Sequence, residues 1–164
     1  MTSLLPDDIA VLAARVVAEN QAAGRTIALA ESCTGGLVSA ALTEIDGASA
    51  VLDRGFITYS NAAKIEALGV PAEIIDTFGA VSIACAWAMA RGALQHSSAD
   101  IAVAITGIAG PGGGTDQKPV GTVVFARAIR GSEDYQTDER HFAADSRAEV
   151  RRQATLLALE LLLP

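Results

Sequence analysis

"LAESCTGGLVSAAL", residues 29–42, decides how this chain folds. A short apolar run ends in Glu31, Ser32, Cys33 and Thr34, and two glycines, Gly35 and Gly36, open what reads as a helix. The run "TIALAES" is too brief for a helix and is bounded by turn residues, which predicts a buried strand; helical spacing returns over residues 37–43. A buried strand that feeds a helix through a glycine corner is the repeating unit of α/β sheets, and such sheets take ligands beyond the C-terminal ends of their strands. Ser32 stands at one of those ends.

Outward from the corner the pattern continues. Ile9, Leu12, Ala13, Val16 and Val17 recur at helical spacing behind Pro6, Asp7 and Asp8, and Gly24 stops that first helix. "RGFITYS" predicts a second strand, Asn61 a cap for the helix "AAKIEALG", and Gly69 its left-handed stop. Pro71 restarts a helix through Phe78, Ser82 heads the long helix "IACAWAMARGALQ", and Asp100 to Ile105 is again an apolar strand. "GTVVFARAIR" and "DYQTDERHFA" read as an antiparallel hairpin with a more exposed second strand. Ser146 and Glu149 form a capping box at the start of the last helix. Early alternation and a late hairpin predict an α/β fold, a mixed sheet with helices on both faces, in a single domain over residues 1–164.

Composition narrows the function. Hydrophobic residues make up 51% of the 164, ample for a core, while a net charge of −7 and an aromatic content of 4% argue against a nucleic-acid partner. Cys33 and Cys85 form no CxxC pair, which suits a reducing cytoplasm. The N-terminal stretch shows no basic secretory n-region, and the apolar tail "ATLLALELLLP" is short and broken by Glu160, so no membrane association is expected. No His, Cys and carboxylate cluster has ligand spacing, so neither metal nor cofactor is expected.

A serine at a strand-to-helix corner is most often a cap. Three features raise its standing here: the strand end, the amide donors of Cys33, Thr34 and the helix start, and the open approach that Gly35 and Gly36 allow. A serine hydroxyl needs a base. His96 lies in a helix tail and His141 in an outer strand, neither with a convincing carboxylate partner in sequence. "ITYSNAAKIEALG" offers Tyr59 at a strand end and Lys64 early in the next helix, a possible serine-lysine pair if burial lowers the lysine pKa. Spacing alone favours the plainer reading, an exposed lysine and a packing tyrosine. Thr106 and Gly107, where the central strand runs out, are placed to touch a ligand beside Ser32. The only long irregular stretch, residues 106–121, holds "GIAGPGGGTDQKP", whose Gly110 and Gly112 could help cradle a phosphate although neither nucleotide-binding fingerprint is present. Arg147 and Arg151 are further phosphate candidates.

"AESCTGGL", "RGFITYSNAAK", "GAVS", "AITGIAGPGGGTDQKPVGTV" and "EVRRQAT", in this order from about residue 25 to residue 155, resemble the CinA C-terminal domain family. Its enzymes are nicotinamide-nucleotide amidohydrolases. The resemblance implies a three-layer α/β/α sandwich with a mostly parallel sheet and a C-terminal antiparallel hairpin, no metal, a homodimer, and hydrolysis of the carboxamide of nicotinamide mononucleotide to nicotinate mononucleotide and ammonia. It implies Ser32 as nucleophile, Lys64 as base, Tyr59 as a partner in proton transfer, and Thr106 and Arg147 at the substrate site. Where the family reads Gly-Asp-Arg this chain has "ADSR", one residue longer before Arg147. Many relatives carry a preceding molybdopterin-binding-like domain, whose activity is not expected of these residues. The rival readings are an amidase for another small amide and a non-catalytic nucleotide-binding module in a competence or DNA-damage response.

Overall fold

The computed structural model describes residues 2–164, and its two inner parallel strands show why the sheet takes helices differently on its two sides. β1 (Ile27–Glu31) and β3 (Ile101–Gly107) are buried on both faces, but they alternate large and small side chains. Ile27, Leu29, Ile101, Val103 and Ile105 point to one layer; Ala28, Ala30, Ala102 and Ala104 point to the other. With side-chain period 2, "IALA" and "IAVAI" therefore encode one bulky face and one shallow face.

The bulky face carries α1 (Asp7–Ala22), α2 (Leu37–Thr43) and α6 (Arg147–Leu161), through Ile9, Val16, Val38, Leu42, Val150 and Leu159. The shallow face receives α3 (Asn61–Leu68), α4 (Ala72–Phe78) and α5 (Ile83–Gln95). α5 lies close because its own contact residues are small: Cys85, Ala86, Ala90 and Ala93 are fully buried. At Gly92 a Cβ would collide with the carbonyl oxygen of Leu68, so α3 and α5 meet backbone to backbone.

β2 (Leu52–Ile57), β4 (Thr122–Ile129) and β5 (Gln136–His141) complete a five-stranded sheet of order β2-β1-β3-β4-β5. β2, β1 and β3 run parallel, and β4 and β5 add antiparallel. The architecture is the expected α/β/α sandwich with a mixed sheet. No helix of the described residues is long and apolar enough to cross a membrane.

Local differences from the sequence reading have simple causes. The cap of α3 is Ser60, not Asn61: Ser60 Oγ accepts from the Ala63 N–H at 3.0 Å, and Asn61 is already helical. β2 stops at Ile57, short of the expected Ser60, and the Thr58 and Tyr59 carbonyls beyond it turn inward to Lys64 Nζ. Only half of the capping box forms on α6. Ser146 Oγ accepts from the Glu149 N–H at 3.1 Å, but the Glu149 carboxylate turns away to Arg152 and Gln153.

Candidate active site

The parallel strands β1 and β3 end side by side, and the Ser32 N–H donates to the Ile105 carbonyl at 2.9 Å, extending the pairing one residue past β1. The chain then has to turn into α2. It does so through Gly35 and Gly36, with φ of 58° and 100°, values at which a side chain would be strained. Glu31 holds the turn. Its fully buried carboxylate accepts from Thr34 Oγ1 at 2.7 Å, the Val38 N–H at 3.1 Å, the Ser39 N–H at 3.0 Å and Ser39 Oγ at 2.7 Å. A carboxylate at the N-terminus of α2 is favoured by the unpaired amides there.

Lys64 comes from the opposite layer. It is 1% exposed, so the plainer reading of an exposed helix lysine is overturned. α3 begins just past the end of β2, and the capped first turn directs position 64 inward, where Nζ reaches Ser32 Oγ at 3.0 Å. Nζ also reaches the Thr58 carbonyl at 2.9 Å and the Tyr59 carbonyl at 3.2 Å. Carbonyl oxygens only accept. A neutral amine, with two N–H bonds and one lone pair, would satisfy both carbonyls and aim its lone pair at the serine hydroxyl. Burial pushes the Lys64 pKa below its ordinary 10.5, in the direction that geometry requires.

Cys33 does not compete as a nucleophile. Burial raises its thiol to about 12, so it stays protonated at neutral pH. The N–H groups of Cys33 and Thr34 have no acceptor among the described residues. Thr34 is fully buried, so the Cys33 N–H, on the residue next to Ser32, is the donor at the site.

A cavity of about 280 Å³ opens over these groups. Ser32, Cys33 and Lys64 are on its floor; Ala80, Val81 and Ile108 supply apolar wall; Tyr59, Asn61, Gly110, Gly112 and Arg147 surround it. Thr106 and Gly107 line it too, but the Thr106 hydroxyl donates to the Ala80 carbonyl at 2.9 Å and so fixes that wall. The irregular stretch is pinned at its base by reciprocal bonds, Ile108 N–H to Thr122 O and Gly121 N–H to Ile108 O, both 2.8 Å. The amides of Gly110 and Gly112 make no hydrogen bond among the described residues, which leaves them free for an anion.

Other expected site residues stand differently. Thr34, Gly35 and Gly36 do not line the cavity: Gly35 is needed for its left-handed φ, and at Gly36 an added Cβ would press on Ile57 Cδ1 at 2.9 Å, so these glycines serve the turn and its protein neighbours, not a ligand. The Tyr59 side chain is 61% exposed, and its hydroxyl accepts from Arg147 Nη2 at 2.8 Å instead of bridging Lys64 and Ser32. Arg147 also donates to the Gly110 carbonyl at 2.8 Å, which joins α6 to the glycine loop across the cavity mouth. Arg151 is absent from the cavity; it donates to the Cys33 and Thr34 carbonyls at 3.1 and 3.2 Å. Four residues were not expected at the site from sequence: Glu31, Asn61, Ala80 and Val81. A carboxylate just before a helix start was the one legible signal, for Glu31.

The profile of the CinA C-terminal domain matches residues 9–164. A CinA-like protein of Mycolicibacterium vanbaalenii is 54% identical over 140 residues, 85% of this chain and 33% of that protein. Another, from Mycobacterium sp. strain JLS, is 49% identical over 160 residues, 98% of this chain and 35% of that protein. The chain thus spans about a third of the length of the curated relatives it matches. The crystal structure of a competence/damage inducible protein from Agrobacterium tumefaciens superposes with a TM-score of 0.94 at 50% identity, covering 98% of this chain and 97% of that one.

Proposed function

The chain belongs to the CinA C-terminal domain family, and from that premise we propose that it hydrolyses the carboxamide of nicotinamide mononucleotide to nicotinate mononucleotide and ammonia. The observation that carries this reading is the buried Lys64 amine 3.0 Å from Ser32 Oγ with two carbonyls occupying its donors.

Neutral Lys64 takes the hydroxyl proton as Ser32 Oγ attacks the carboxamide carbon, and the carbonyl electrons move to oxygen. The Cys33 N–H receives that oxyanion, a donor contributing about 3 kcal/mol in comparable sites. Protonated Lys64 then gives its proton to the departing nitrogen, which leaves as ammonia. Water, deprotonated by the same amine, opens the acyl-enzyme and restores Ser32. Tyr59 assists by orienting the amine through its carbonyl and by holding Arg147 through its hydroxyl. Arg147 and the free amides of Gly110 and Gly112 receive the nucleotide phosphate, binding energy remote from the reacting carbon. The same family reading carries a homodimer working in a reducing cytoplasm, with which the two buried, unpaired cysteines agree.

Turnover of nicotinamide mononucleotide by wild type, Ser32→Ala and Lys64→Ala tests the proposal. Wild type should release ammonia, and each variant should lose roughly 10³-fold or more in kcat, as groups acting as a unit do. Because the amine must be neutral, kcat/KM should rise with pH along a limb whose midpoint lies below 10.5. Binding of the nucleotide without product would establish the binding-module reading. Equal turnover of free nicotinamide would establish a general amidase.

A further inference from the structure

Arg151 and Glu31 lie outside the cavity, yet both act on the corner that holds its oxyanion donor. In a trans peptide the C=O and the following N–H point in opposite directions, so fixing a carbonyl aims the next amide. Arg151 Nε binds the Cys33 carbonyl at 3.1 Å, which sends the Thr34 N–H away from α6. Arg151 Nη2 binds the Thr34 carbonyl at 3.2 Å, and the Gly35 N–H on the far side of that peptide closes on the Ser32 carbonyl at 3.0 Å. With the Ser32 carbonyl drawn into the turn, the Cys33 N–H is turned out of it.

Three consecutive peptide planes are thereby fixed. α6 packs on the bulky face of the sheet, while Lys64 and the Ala80–Val81 wall belong to the other layer. Of the residues that follow Ser32 in the corner, Cys33 alone lines the cavity with Lys64, and its N–H is the one turned out of the turn.

The side chains fit this task. Only a guanidinium presents two parallel donors spaced for neighbouring carbonyls. Arg152, one residue on, pairs with Asp8 and Glu149; Arg151 has no ion-pair partner among the described residues and spends its donors on the corner. Gly35 follows in the left-handed conformation, φ 58°, that closes the corner beside Arg151. Glu31 holds Thr34 from the other side through the 2.7 Å bond to Oγ1.

We infer that Arg151 and Glu31 are positioning residues, a clamp of opposite charges that holds the corner so that the Cys33 N–H faces the Ser32 cavity as its oxyanion donor. The inference rests on the acyl-transfer reading above but not on the identity of the amide.

The experiment compares wild type, Arg151→Ala, Arg151→Lys, Thr34→Val and Arg152→Ala. Two quantities are read: kcat and KM for nicotinamide mononucleotide, and the rate at which a fluorophosphonate labels Ser32. In the labelling step Oγ–P forms, P–F breaks, fluoride leaves, the serine proton passes to Lys64, and the phosphonyl oxygen takes the oxyanion's place.

Arg151→Ala should lower kcat about 10-fold or more with KM changed less than about threefold, the signature of a contact made only in the transition state. Labelling should slow in parallel. Arg151→Lys, able to hold one carbonyl, should recover part of both rates, as should Thr34→Val, which cuts only the Glu31 tie. Arg152→Ala should match wild type.

Equal kcat and labelling rates in wild type and Arg151→Ala, or an equal loss in Arg152→Ala, would overturn the clamp. So would a loss confined to KM. Should Arg151→Ala fail to fold, Arg151→Lys and Thr34→Val decide by the same split. If wild type labels at Ser32 but leaves the nucleotide intact, the substrate reading fails and the labelling rates alone decide the clamp. A wild-type Ser32 that never labels overturns both.

Discussion

Replacing Lys64 by Met should change how stability depends on pH in a way that reports the charge state of the buried amine. In the folded chain the Lys64 pKa lies below 10.5, chiefly because burial disfavours the ammonium; in the unfolded chain it is ordinary. Between those two values the unfolded chain holds a proton that the folded chain has released. Unfolding then takes up a proton, so stability must rise with pH across that window and become level above 10.5. The slope inside the window approaches about 1.4 kcal/mol per pH unit. Lys64→Met removes the titration and leaves the Thr58 and Tyr59 carbonyls without their donor, a cost of about 1–3 kcal/mol per group that does not vary with pH. The difference between wild type and variant therefore isolates the amine. Urea unfolding from pH 6 to 10.5 measures it: with slopes of about 1–3 kcal/mol/M, the wild-type midpoint should gain roughly 0.5–1.4 M per unit over the variant inside the window. Midpoints that stay a constant distance apart throughout would mean that Lys64 is charged when folded, and the base assignment would fall with that result.

Arg147→Ala should raise KM for nicotinamide mononucleotide well above its effect on kcat, because the contacts to the Gly110 carbonyl and Tyr59 hydroxyl place it at the cavity mouth, away from Ser32; steady-state kinetics on the nucleotide and on free nicotinamide check this, and the free base should be indifferent to the change. Gly92→Ala should destabilise by about 1–3 kcal/mol despite the better helix propensity of alanine, since its Cβ would press on the Leu68 carbonyl where α3 and α5 touch; thermal melting reads the loss. Because α3 carries Lys64, the same variant should also lower kcat.

Local patterns carried most of the architecture. The order of strands and helices, the stops at Gly24 and Gly69, the caps at Ser82 and Ser146, and the late hairpin are all set by a few neighbouring residues, and the helix over residues 37–43 agrees with α2 to the residue. Ser32 was readable for the same reason, as a hydroxyl at a strand end. The burial of Lys64 was not, because four residues of helix look alike from either side until another layer packs on them. Tertiary reach also explains Arg151: a phosphate role and a carbonyl-binding role require the same side chain at the same helix position, and only the 118-residue separation from Cys33, closed by folding, distinguishes them. Gly36 illustrates the same limit, since sequence shows that space is needed but not what fills it.

The unequal faces of β1 and β3 also guard against error during folding. A slip of one residue in their pairing would turn isoleucine and leucine toward the small-residue surface of α5 and leave alanines beneath α1 and α6, giving a clash on one side and voids on the other. Ser32, coming directly after β1, would rotate with the strand and lose sight of Lys64. Misregistered molecules would consequently be unstable as well as lacking the Ser32–Lys64 contact, so a sheet that survives quality control is one whose serine already faces its amine.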